Sequence, residues 1–186
     1  MFLIFGYPTV KIGYSLIIKY FRKKEEKEML EEMEKRPVVR GFTVDNLVHM
    51  DLDDALDLKI SGEEALVTIS IADVDYYVHQ GTDLDDRASS RVASRYYAEN
   101  RMDPMLPLRI SEDIASLLPG KKRKTISVFV TLDLRDLHVI SVDIRETELT
   151  SERMFKYPEI DEVLKNSSDP HHEIICQFAE LANKLL

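Results

Sequence analysis

The chain has 186 residues, enough for one domain with a real core. Its formal charge of −9, from 25 basic and 34 acidic side chains, excludes bulk positive charge as its means of holding nucleic acid. A single cysteine, Cys176, excludes an intramolecular disulfide and suits a reducing, cytoplasmic setting.

Residues 1 to 21 are apolar but interrupted by Gly6, Pro8, Lys11, Gly13 and Lys19. A spanning helix needs about 20 mostly apolar residues, so a short strand or loop leading into a helix is favoured over a membrane anchor. Arg22 to Glu28 alternates acids and bases at i, i+4 spacing, as on a solvated linker helix, and Pro37 ends it. The expected organisation is an N-terminal apolar segment and charged linker over 1–40, then a domain over 41–186.

The domain is organised around Thr43-Val44-Asp45-Asn46-Leu47-Val48-His49-Met50-Asp51-Leu52-Asp53-Asp54-Ala55. Asp45, Asp51, Asp53 and Asp54 are interleaved with apolar residues, so the segment reads as partly buried. Crowded, partly buried carboxylates stay ionised only when something offsets their charge. A hard divalent cation, Mg²⁺ or Mn²⁺, is the usual answer, because it takes oxygen ligands. A calcium loop is excluded, since Ala55, Leu56 and Gly62 stand where it needs an acid or amide, a glycine and a glutamate. A phosphoaspartate hydrolase pattern also fails after Asp53, at Ala55. A solvated acidic loop is the plainer alternative.

Beyond Asp54 the pattern is that of strands. Leu56, Leu58 and Ile60 alternate with Asp57 and Lys59; after a turn at Ser61–Glu64, Val67, Ile69 and Ile71 alternate with Thr68 and Ser70. This hairpin returns Asp73 and Asp75 beside the aspartate cluster, where capping the next turn is the favoured role. Thr82 or Asp83 caps a helix with Leu84, Ala88 and Val92 on one face. Lys121-Lys122-Arg123-Lys124 reads as a solvated turn, with phosphate contact a lesser alternative. Ile126 to Leu132 and Ile140 to Ile144 form a second hairpin about Leu134-Arg135-Asp136. A last helix starts near Asp169-Pro170, with Ile174, Ile175, Phe178, Leu181, Ala182 and Leu185 on its apolar face. His171 and His172 read as exposed first-turn residues. The fold class is α+β, a mixed or antiparallel sheet built from hairpins with packed helices.

The aspartate spacing resembles the signature of the ribonuclease II / ribonuclease R family, the RNB domain, which reads Thr-Ile-Asp, five residues, Asp-x-Asp-Asp-Ala. Further landmarks follow in order. They are Ile71-Ala72-Asp73-Val74, Gly81-Thr82-Asp83-Leu84-Asp85, Tyr97 before Arg101-Met102-Asp103-Pro104-Met105-Leu106-Pro107, and Ser111 before Ala115-Ser116-Leu117-Leu118-Pro119. The resemblance covers about residues 42 to 164. It implies processive 3′-to-5′ hydrolysis of single-stranded RNA, with Asp45, Asp51, Asp53 and Asp54 as ligands of Mg²⁺ or Mn²⁺, and with Asp53 and Asp54 as catalytic residues. It implies RNA contacts at Tyr97, Arg101 and Tyr157, although the segment around Tyr157 carries one residue more than the family pattern. It also implies that the chain holds the N-terminal half of such a domain, without the family's assisting arginine. A separate chain would then supply the rest. The competing reading is a catalytically inactive RNB-like fragment that serves as an RNA or protein interaction module.

Overall fold

The computed structural model describes residues 35–45, 50–98 and 101–185. The expectations for residues 1 to 34 lie outside the described residues. Among those that are described, no helix is long and apolar enough to cross a membrane. The architecture below is that of the unit Pro37–Leu186.

Four of the five main strands contain the alternating stretches read from the sequence: β2 (Asp54–Ser61), β3 (Glu64–Ala72), β6 (Lys122–Asp133), which also takes in Lys122 to Lys124 of the expected turn, and β7 (Val139–Lys156), which runs well past Ile144. The fifth, β1 (Val38–Asp45), precedes them. Neighbours are antiparallel except β1 and β7, which pair in parallel and close the sheet into a barrel of order β1-β2-β3-β6-β7. The hairpins are therefore mixed-sheet neighbours, as expected, but they curl into a barrel instead of leaving an open sheet. Closure requires a close backbone approach at Gly41, where a Cβ would lie 2.8 Å from the Leu56 carbonyl oxygen.

The barrel is too narrow for large side chains in its middle, since barrel diameter grows with strand number. Small hydroxyl residues fill it. Ser70 and Ser127 are hydrogen-bonded at 2.7 Å, Thr125 and Thr147 at 2.6 Å, and Ser127 and Thr147 at 2.6 Å. These buried hydroxyls satisfy one another, which is the condition for burying them cheaply. The aliphatic residues that alternate with them point outward. Val67 and Ile69 are half-buried beneath a helix, whereas Ile71, Val142 and Ile144 are exposed.

Among the described residues, α1 (Asp83–Arg91) packs through Ala88 on Val78, Leu106, Ile110 and Ala115, whereas α2 (Tyr157–Val163) and α3 (His172–Leu185) pack on the barrel. Thr82 caps α1 as expected, accepting from the Asp85 amide at 3.3 Å. The apolar face of α3 contributes Ile175 to a cluster with Phe42, Phe155 and Val163, and Leu181 to one with Leu58, Ala65 and Leu132. The first turn corrects one expectation. The His171 ring is not exposed but lies edge-on to Phe155, at 5.4 Å between centroids, because the helix start packs onto β7.

Two short strands, β4 (Arg95–Tyr96) and β5 (Met102–Asp103), form a separate antiparallel ribbon after α1. A π-helical turn, Ile110–Ile114, leads from it toward β6.

Candidate active site

Strand register gathers the aspartates at one end of the barrel. Asp45 ends β1, and its partner on β7 is Lys156. Asp54 begins β2 opposite Ile71, near the end of β3. The Asp53 carbonyl accepts from the Ala72 amide at 2.8 Å. Asp51 and Asp53 flank Leu52, which is only 1% exposed and anchors the segment in a core cluster with Ala55, Ala72, Leu117 and Leu149. Ser116, also fully buried, holds both sides of this anchor: its hydroxyl donates to the Met50 carbonyl and accepts from the Leu52 amide at 3.2 Å. The segment thus alternates an apolar residue inward with carboxylates outward. Asp53 and Asp54 are open to solvent on one side, whereas Asp45 and Asp51 are half-buried.

Crowding shows in the proton affinities. The Asp53 carboxyl is raised above its ordinary value by partial burial, then by the charges of Asp51, Asp54 and Asp45. Asp54 is raised by partial burial and by Asp45. Like charges this near disfavour simultaneous ionisation, and a bound cation reverses that effect. The donor set is all oxygen, which fits a hard divalent ion and not zinc or a soft metal.

Beside Asp51 and Asp53 lies a cavity of about 340 Å³. Its apolar wall comes from Ile71, Ala72, Val74, Met105, Leu106 and Ala115; its polar wall adds Ser94, Tyr96 and Ser111. The Ser111 hydroxyl is buried without a hydrogen-bond partner. The Tyr96 hydroxyl donates to Asp51 Oδ2. That bond, with burial and the charges of Asp51 and Asp53, pushes the Tyr96 phenol up to about 12.

The aromatic residue brought to the carboxylates is therefore Tyr96. Tyr97 follows the strand and is not among the residues that line the cavity. Tyr97 is exposed, and the Arg101 guanidinium lies 5.7 Å over its ring. Tyr157 is exposed at the start of α2, one residue past Lys156, the register partner of Asp45; it stands at the aspartate end of the barrel. Asp73 takes the turn role expected of it, accepting from the Tyr76 amide at 3.3 Å. The basic run is absorbed structurally: Lys122 and Lys124 reach Glu148 at 3.1 and 3.6 Å, and the Arg123 Nε donates to the Ser116 carbonyl at 2.9 Å. Tyr96, Ser111 and Ser116 carried no functional reading in the sequence. The Tyr96-Tyr97 doublet was the available signal.

A second acidic group sits on the β6–β7 turn. Donor atoms of Asp133, Asp136 and His138 lie within 4.8 Å of one another, closer than the barrel-end carboxylates stand. Arg135 already grips both Asp133 oxygens, at 3.0 Å from Nε and 2.5 Å from Nη2, and holds that carboxyl well below the usual range.

A small mixed barrel with crowded carboxylates at one end and an apolar-walled cavity beside them defines the class of protein. The RNB domain model matches residues 36–186, and the chain belongs to the RNB domain family. It is 35% identical over 149 residues to Ribonuclease R of Thermotoga maritima, covering 77% of this chain and 21% of that one. It is 32% identical over 133 residues to the human 3′-5′ exoribonuclease HELZ2, covering 72% of this chain and 5% of the relative. Its fold is similar to RNase R of Mycoplasma genitalium solved with double-stranded RNA, with a TM-score of 0.69, 26% identity, and 73% and 24% of the two chains covered. It is also similar to yeast Ssd1, a pseudonuclease, with a TM-score of 0.70, 23% identity, and 82% and 19% covered. The chain spans about a fifth of the length of the Ribonuclease R relatives it matches.

Proposed function

We propose that this chain is part of a metal-dependent 3′-to-5′ exoribonuclease that hydrolyses single-stranded RNA in the cytoplasm. The observation that carries the reading is the gathering of Asp45, Asp51, Asp53 and Asp54 at one end of the barrel, where partial burial and then the neighbouring charges raise the Asp53 carboxyl. Asp45, Asp51, Asp53 and Asp54 would hold Mg²⁺ or Mn²⁺. When bound, such ions lower the pKa of a water and stabilise the leaving oxygen of a phosphodiester.

The chain's own residues supply position and exclusion of water. Met105, Leu106, Val74 and Ile71 line the apolar wall beside Asp51 and Asp53, which keeps solvent from one side of the reacting phosphate. The exposed Tyr97 ring offers a stacking face for a base, worth about 1–3 kcal/mol per base in such sites. Arg101 beside it offers a cation to the RNA backbone, and Tyr157 borders the same end of the barrel as Asp45.

The relatives' greater length supports the further proposal that additional polypeptide, in the same chain or a separate one, completes the RNA channel and contributes a cationic charge-stabilising side chain. Absence of one such group costs about 10²–10³ in rate. The present chain alone should therefore shorten RNA weakly or not at all. The test is labelled single-stranded RNA with Mg²⁺ or Mn²⁺, using wild type and Asp53→Asn, with and without added polypeptide extending the domain. Turnover that appears on addition and is lost with Asp53→Asn supports the proposal. Robust 3′ shortening by the chain alone would make it self-sufficient. Unchanged turnover in Asp53→Asn would remove the aspartate cluster from the chemistry. A second reading, an inactive interaction module, is supported by the same fold occurring in a pseudonuclease; it expects RNA retention without turnover in every arrangement.

A further inference from the structure

The Tyr96 hydroxyl is hydrogen-bonded to Asp51, a carboxylate of the barrel-end cluster. Its backbone is firmly placed. Tyr96 pairs with Met102 across the β4–β5 ribbon, and the Tyr97 amide donates to the Arg101 carbonyl at 2.9 Å. Arg91 ties the ribbon to α1 through Asp103 at 2.5 Å and the Pro104 carbonyl at 2.7 Å. The Met105 amide donates to Ser94 Oγ at 2.9 Å. Asp51 is equally fixed at its backbone, because the buried Ser116 hydroxyl bonds both Met50 and Leu52 on either side of it. Two separately anchored elements thus meet through one short contact, the Tyr96 hydroxyl on Asp51 Oδ2.

A carboxylate with one oxygen held by a neutral donor presents its other oxygen in a fixed direction. Carboxylates that bind metal are themselves commonly hydrogen-bonded in this way, and losing that outer partner typically lowers metal affinity about 10- to 100-fold. The phenol also suits a crowded acid cluster: it donates a hydrogen bond without adding a charge that would compete with the ion. Building on the divalent-ion reading above, we propose that Tyr96 is a positioning residue for the metal site: its hydroxyl on Oδ2 orients the Asp51 carboxylate that would hold the ion.

The test is Mn²⁺ calorimetry on the wild-type chain and Tyr96→Phe, with unfolding midpoints of both metal-free proteins. Tyr96 is more than half exposed, so the phenylalanine variant should fold with an unchanged midpoint. The expected result is a 10- to 100-fold weaker Mn²⁺ affinity in Tyr96→Phe. A spectroscopic readout separates orientation from general structure. The chain has eight tyrosines and no tryptophan, so its near-ultraviolet absorbance reports tyrosine unmasked. Mn²⁺ should produce a tyrosine difference band in the wild type that Tyr96→Phe lacks. Equal or tighter Mn²⁺ binding by Tyr96→Phe, or a difference band that persists in it, would overturn the role of Tyr96 and leave the metal site standing. No Mn²⁺ binding by the wild type would overturn the metal reading and this inference together.

Discussion

The barrel end and the β6–β7 turn both concentrate acidic groups, yet their electrostatics run in opposite directions. At the turn, Asp133 is drawn down by Arg135, and Asp136 is drawn down by its hydrogen bonds with His138. At the barrel end, Asp53 and Asp54 are driven up by burial and by their neighbours' charges. The tighter cluster is the satisfied one. Closeness of ligand atoms reports only geometry, whereas the raised carboxyls reflect partial burial first and then neighbouring like charges. Such unresolved repulsion, maintained by a buried anchor at Leu52 and Ser116, is the mark of a site built for something else to complete.

Substitution should therefore have opposite effects on the metal-free protein in the two regions. The larger effect belongs to the turn. The lowered Asp133 carboxyl contributes stability above its unfolded value of 3.8, and that contribution is lost as pH falls through the lower folded value. Asp133→Asn should lower the unfolding midpoint by several degrees at pH 7, and the deficit should shrink below pH 4, read by thermal melts across pH. A neutral effect at pH 7 would break the contrast.

The smaller effect belongs to the barrel end. The raised Asp53 carboxyl carries no penalty below its unfolded value of 3.8 and its full penalty above the higher folded value. Asp53→Asn should raise the metal-free midpoint by a few degrees or less at pH 7, with the gain fading as pH falls toward 4. Saturating Mn²⁺ should reverse the order of wild type and variant, because the ion stabilises only the form that binds it. A variant less stable than wild type without metal would contradict the crowding.

Much of this was legible in the sequence, and the failures have physical causes. Period-two alternation marked β2, β3, β6 and the first part of β7, because a strand's side chains must alternate whatever lies on either side. Alternation does not say which face turns inward. The hydroxyls of Ser70, Ser127 and Thr147 face the narrow barrel interior, and Ile144 beside them is 63% exposed. β1 and the closing β1–β7 pairing were not read, because that contact joins residues such as Val38 and Glu148 that are remote in the chain. The aspartates stand out by spacing and composition, and strand register brings them to one end of the barrel. The family pattern names Tyr97, and only the structure shows the hydroxyl of its neighbour Tyr96 meeting Asp51.

The most direct test of the central claim is an amide NMR titration with Mn²⁺, which broadens only nearby resonances. The account predicts saturable broadening at Asp45, Asp51, Asp53, Asp54 and Ala72, with the turn from Leu134 to His138 left sharp. Broadening centred on Asp133, Asp136 and His138, with the barrel end unaffected, would contradict it.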